Sequence, residues 1–178
     1  MSQPSLTTAG SALLSLGYAG QPATTNEWSA FTLDNESTSG GLTINGAAGG
    51  IDFGIAVARG AGAACCKLIA ADGDLPIGIT VRSPTMVAST TNYVGYGTSE
   101  SVPIMYLGDI YAIATEAVVA GDQVISLTAS AGALSGTHSG VVGAGRVLVP
   151  GAHWVNAVSA GAVGLIRLTG VNNPNTTT

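Results

Sequence analysis

The stretch DIYAIATEAVVAGDQVISL (Asp109–Leu127) forces a choice that governs the rest of the chain. Its middle is either a helix in an enzyme-like scaffold or a corner between two strands. A helix needs about 10–12 residues of period-3.6 pattern. Thr115 can cap one and Gly121 can stop it. Only Glu116–Ala120 then lie inside, and two of those residues are β-branched valines. So short a turn cannot repay its nucleation cost. The flanks IYAIA and QVISL are rich in β-formers. The segment TEAVVAGD therefore reads as a tight corner joining two strands.

The rest of the sequence follows the same logic. IDFGIAVAR alternates, with Ile51, Phe53, Ile55 and Val57 on one face and Asp52, Gly54, Ala56 and Ala58 on the other. ACCKLIA, IGITVR, VPIMYLGDIYAIA, QVISL, GRVLV and VGLIRL supply further strands, with Gly108 placed to bend the longest. Ile77, Ile79 and Val81 are expected to point inward together. ADGDLP is a turn, and TTNYVGYGTSES reads as a loop with exposed Tyr93 and Tyr96. No repeat of fixed period is visible. The expectation is a mainly β fold: a small barrel or sandwich of about seven to nine short strands with no long helix. Residues 1–27 read as an extended N-terminal arm, 28–169 as the β domain and 170–178 as a flexible tail.

Composition limits function. Charged residues are 8% of the 178, with one lysine, four arginines and a net charge of −5. That balance lacks the basic stripe that nucleic-acid binding requires. No apolar run is long enough for a membrane-spanning helix, and the N-terminus lacks the basic start of a signal peptide. A neutral surface with few lysines protects strand edges poorly, so much of it is expected to be covered by partner subunits.

His138, in SGTHSG, and His153, in PGAHWVN, are the two histidines. Neither has a second metal ligand at strand or helix spacing, and both read as solvated loop residues. There is no G-x-S-x-G nucleophile elbow. GAGAAC is an incomplete G-x-G-x-x-G that leads into a strand. The adjacent Cys65 and Cys66 point to opposite faces of a strand and read as small packing residues. No catalytic residue, cofactor site or metal site is expected, and the chain does not read as an enzyme.

Several weak motifs, in order, resemble the structural cement or head decoration proteins of tailed bacteriophages. They are GYAGQPA followed by IDFGIAVARG, then PIGITVRS, the corner EAVVAGDQV, and the closing GAGRVLV and AGAVGLIRL. The resemblance spans most of residues 17–168. It implies a non-enzymatic virion protein, made in the host cytoplasm, that binds the outer surface of the assembled head. There it would bridge major capsid protein subunits. A homo-oligomer is implied, with trimers the first expectation and dimers the second. The alternative is a β-rich tail or baseplate component. The V-x-A-G-D-x-V corner also occurs in lipoyl- and biotin-carrier domains, but the single lysine, Lys67, lies inside a strand pattern rather than on a hairpin tip. In an aromatic-poor chain, large aromatics are the expected contact hot spots. Tyr18 and Gln21 in the arm, with Trp28, Phe31 and Trp154, are the candidate capsid- or subunit-binding residues. For Trp28, Phe31 and Trp154 the competing reading is core packing.

Overall fold

The computed structural model describes residues 17–23, 27–38, 42–44, 47–83, 95–128 and 137–170. Among them there are eleven strands and no helix. They are β1 (Ser29–Asn35), β2 (Leu42–Ile44), β3 (Ala47–Gly50), β4 (Ala56–Arg59), β5 (Cys65–Leu68) and β6 (Pro76–Thr80). Then come β7 (Ser101–Ile113), β8 (Gln123–Leu127), β9 (His138–Ser139), β10 (Arg146–Trp154) and β11 (Val163–Thr169). β2 and β3 form a separate hairpin.

The other nine strands make one sheet in the order β1-β5-β4-β6-β7-β11-β10-β8-β9. β1 also pairs with β7, so β1, β5, β4, β6 and β7 close into a five-stranded barrel. Beyond it, β7 pairs with β11 from Leu107 to Ile113, and β10, β8 and β9 follow. An isolated parallel bridge between Ala114 and His138 brings β9 back to the end of β7. The thirteen-residue β7 is thus the common wall of a closed barrel and a second, barely closed one. Gly108, at φ 115°, lets β7 serve both without breaking, and Trp28 Cβ lies 2.6 Å from where a glycine-free Cβ would stand.

Two apolar clusters match the two barrels. The first holds Ile51, Phe53, Val57, Leu68, Tyr96 and Ile104. The second holds Met105, Ile110, Val124, Val149, Trp154 and Ile166. Strands near the junction are buried on both faces, and this overrides simple alternation. Ala56 and Ala58 join the second cluster while Val57 joins the first. A bulge in the β4–β6 pairing then puts Ile77 in the first cluster and Ile79 and Val81 in the second. The expected strand over residues 51–59 begins only at Ala56, because Phe53 and Gly54 form a turn with Gly54 at φ 70°. Tyr96 is buried, not exposed: its ring meets Phe53 edge to face and its hydroxyl donates to the Val81 carbonyl. Tyr93 lies outside the described residues.

The opening corner is a corner, and it has a twin. Residues 115–122 join β7 to β8, and residues 155–162 join β10 to β11 with the same local conformation. Val118 and Val158 exchange both main-chain hydrogen bonds, at 2.9 and 3.0 Å. Gly121 N donates to Trp154 O while Gly161 N donates to Ala114 O, at 2.8 and 2.7 Å. Both glycines have positive φ, 92° and 78°. The shared pattern is only A-V-x-A-G, too short to register as a repeat by eye.

Candidate docking surface along strand β7

The arm segment Gly17–Ala23 lies on β7. Gly20 N donates to Tyr111 O (2.7 Å), Tyr111 N to Gln21 O (3.0 Å) and Ala23 N to Asp109 O (2.8 Å). The Tyr18–Gln21 turn is closed by Gln21 N to Tyr18 O at 2.9 Å, and Tyr18 N donates to Gln21 Oε1 at 3.2 Å. Arg82 N donates to Gly20 O at 2.7 Å. The Arg82 guanidinium sits between the Tyr18 and Phe53 rings, 5.3 Å from each centroid. The turn is therefore pinned while Tyr18 stays 65% exposed.

The next residues continue the strip. Trp28 is 48% exposed over Gly108, and Leu107, paired with Ser29, is 39% exposed. Phe31 is partly buried against the first core, its ring 5.7 Å from Tyr106. Beside Trp28, an open hollow of about 450 Å³ is lined by Glu27, Leu107, Gly108, Asp109, Arg167 and Thr169, among others. Arg167 Nε and Nη2 donate to Asp109 Oδ1 and Oδ2 at 2.8 and 2.9 Å. This fork gives the almost wholly buried Asp109 side chain two hydrogen bonds from one guanidinium. Of the five residues expected from sequence, Tyr18, Gln21, Trp28 and Phe31 share this strip. Trp154 does not: it is fully buried in the second core. Composition missed Leu107 and Arg167, because only the β1–β7 and β7–β11 registers bring them beside Trp28.

Other groups that could do chemistry lie elsewhere in the fold. His138 is not a loop residue but a fully buried member of β9, with Nε2 2.9 Å from Gly54 O. Burial pulls its pKa down to about 4. The glycine- and serine-rich surroundings concealed this strand. His153 lies on β10 and pairs with Arg167 of β11. Arg146 Nη2 and Nη1 donate to Glu116 Oε1 and Oε2 at 2.6 and 2.9 Å, pushing the Glu116 pKa down to about 2. Both cysteines are free, and burial pushes the Cys66 thiol up to about 12, far from a reactive thiolate. An apolar groove of about 230 Å³ between the barrels is lined by Phe53, Ile55, Ile113 and Thr115, with Asp52 at its side. Burial raises the Asp52 pKa. Among the described residues no group of three histidine, cysteine or carboxylate side chains is placed to hold a metal.

A double-barrelled β module with exposed aromatics along β7 is what the fold and surface define. The comparisons give that class a family. Residues 6–169 match the model of the structural cement protein family, described as E217 gp24/Pam3 gp6, and the chain belongs to that family. The family makes it a structural protein of a phage. A solved chain from the capsid of Myoviridae phage XM1 has the same fold, with a TM-score of 0.62 and 16% identity. The match covers 87% of this chain and 91% of that one. No curated protein sequence matches.

Proposed function

We propose that the protein binds the outer surface of the assembled head and bridges neighbouring major capsid protein subunits, without catalysing a reaction. The observation that carries this reading is the strip of Tyr18, Gln21, Trp28 and Phe31 along β7. Its aromatic side chains are held by a rigid sheet while Tyr18 and Trp28 remain exposed. Pre-ordered aromatics bury large area at little entropic cost, which suits a contact hot spot. Trp154 has no exposed surface and is left out of the contact set. Binding at many lattice positions lets moderate contacts resist pressure, because each copy holds several subunits at once. A homo-oligomer, trimeric first and dimeric second, meets several capsomers around one point.

The test is co-sedimentation with expanded, undecorated capsids, with unexpanded procapsids as control. Saturable binding at a fixed ratio per capsid subunit is expected for expanded shells. Deleting residues 1–27 removes Tyr18 and Gln21 but leaves each of the eleven strands of the described residues, since β1 begins at Ser29. The truncated domain is expected to fold and to lose shell binding. Full decoration by that truncation overturns the arm's role. Absence of binding by the intact protein overturns the cement role and favours a tail or baseplate location.

A further inference from the structure

Among the described residues, three buried polar side-chain atoms have no hydrogen-bond partner: Ser126 Oγ, His138 Nδ1 and Trp154 Nε1. They belong to one place in the fold. Ser126 and His138 are direct cross-strand partners in β8 and β9, so their side chains leave the same face, about 5 Å apart at Cβ. That face is the interior of the second barrel. Val124, two residues from Ser126, and Val147, its partner in β10, both belong to the second core. The His138 and Trp154 rings meet edge to face with centroids 6.5 Å apart. All three residues are fully buried.

Their donor and acceptor roles are complementary. His138 Nε2 lies 2.9 Å from the Gly54 carbonyl oxygen. A carbonyl only accepts, so Nε2 carries the ring proton and Nδ1 is left as an acceptor. The Trp154 indole nitrogen only donates. The Ser126 hydroxyl does either. A direct bond from Ser126 to His138 would satisfy two atoms and leave the indole N–H stranded. One small molecule with two donors and two acceptors answers all three.

We propose that the second barrel binds one ordered internal water, donating to His138 Nδ1, accepting from Trp154 Nε1 and sharing a hydrogen bond with Ser126 Oγ. Buried water of this kind makes two to four hydrogen bonds and is an integral part of a core. Here it completes a polar path from Gly54, at the edge of the first barrel, through the imidazole to Trp154. The path holds β9 in place. That strand has only two residues, and its ladder alone offers little. It also gives a physical reason for a histidine at this position in an otherwise apolar interior.

The test is a crystal structure of the intact protein at a resolution that shows ordered water, paired with NMR of the same protein. The expected result is one density peak within hydrogen-bonding distance of at least two of the three atoms. The Trp154 indole proton is expected to show a direct cross-peak to bound water, and the His138 nitrogen shifts to report the Nε2–H tautomer. A Ser126 hydroxyl bonded straight to Nδ1 with no density beside the indole overturns the proposal. So does a dry interior, an indole proton with no water cross-peak, or the Nδ1–H tautomer.

Discussion

The two barrels share a wall but close by different means. The first closes on main chain: β1 registers against β7 from Ser29–Leu107 to Asp34–Ser101. The second closes on one bridge, Ala114 to His138, and on side chains. Thr115 N and Oγ1 both donate to His138 O at 2.7 Å. The His138 ring reaches Gly54, and Arg146 ties Glu116 to Ser139. Main-chain closure tolerates sequence change and pH, since every residue but proline carries the same groups. Side-chain closure depends on particular residues and on their protonation. The second barrel should therefore be the half that mutation and acid open first.

The largest blow to that half is Trp154→Ala. Trp154 is the largest fully buried side chain, and Gly164 leaves room for its ring, with Cζ3 only 2.8 Å from where a Cβ would stand. Truncating so large a buried aromatic costs about 3–5 kcal/mol. Chemical denaturation should show that loss. Hydrogen exchange should show β8–β11 losing protection before β4–β6. Equal loss across both barrels would mean that they unfold as one unit, and the contrast would fail.

How much of this was legible in the sequence follows the same division. The strands QVISL and VGLIRL appear almost residue for residue as β8 and β11. Each has a local pattern that long-range pairing did not need to correct. Ala56 and Ala58 do face away from Val57, as the alternation says, but their face is buried as well, because a wall between two cores is buried on both sides and one sequence cannot say that a second core exists; Ile77 parts from Ile79 at a bulge that no local pattern shows. Tyr96 looked like a loop residue because its burial depends on Phe53 and Val81, far away in sequence. The twin corner at 155–162 was missed because its resemblance to 115–122 is conformational, with little shared sequence. On the surface, aromatic scarcity pointed to Tyr18 and Trp28 as contact residues, and the fold leaves both exposed. It could not distinguish either from Trp154, since exposure of a tryptophan is decided by register.

Acid is the next lever. His138 titrates at about 4 in the fold against an ordinary 6.5, because burial disfavours the imidazolium. The unfolded chain therefore binds more protons between those values. Stability is complete above about pH 6.5, falls as the pH drops toward 4, and loses nothing more from this group below that. The window is worth about 3 kcal/mol at 1.36 kcal/mol per pKa unit. Glu116 adds a second, lower window, because its pKa of about 2 lies below the ordinary 4.5; its contribution is lost as pH falls through that range. Asp52, on the turn that carries Gly54, acts oppositely, since its raised pKa means that protonation relieves burial. His138→Gln keeps a donor for Gly54 O and should flatten the upper window. A wild-type stability profile that is level from pH 6.5 to 4 would show that the ring is not held neutral.

The twin corners offer a control of about equal size on each side. Gly121 and Gly161 both sit at positive φ with open space where a Cβ would go, so alanine there meets no neighbour. The cost is backbone strain alone, about 1–2 kcal/mol each. Equal losses from Gly121→Ala and Gly161→Ala would show that the two corners are energetically equivalent despite their different side chains. Gly54→Ala should cost more, because its Cβ would stand 2.5 Å from Gly20 N as well as at φ 70°.

The smallest effect separates the corners again. Glu116 in the first corner is tied to Arg146 and Ser139, whereas Asn156 stands at the equivalent position of the second and caps its own corner by accepting from Leu165 N at 2.9 Å. The Glu116 side chain is 39% exposed, so solvent screens most of its charge. Glu116→Gln should therefore cost no more than about 1 kcal/mol, shrinking further as salt is added. It keeps one acceptor for Arg146 and removes the charge. If stability falls by less than the error of the measurement at all salt concentrations, the ion pair is an ornament of the corner, and closure of the second barrel rests on His138 and Thr115 alone. A salt-independent loss would instead mean that the pair works through its hydrogen bonds to Ser139. That outcome would make the serine, next to His138 in β9, the true latch.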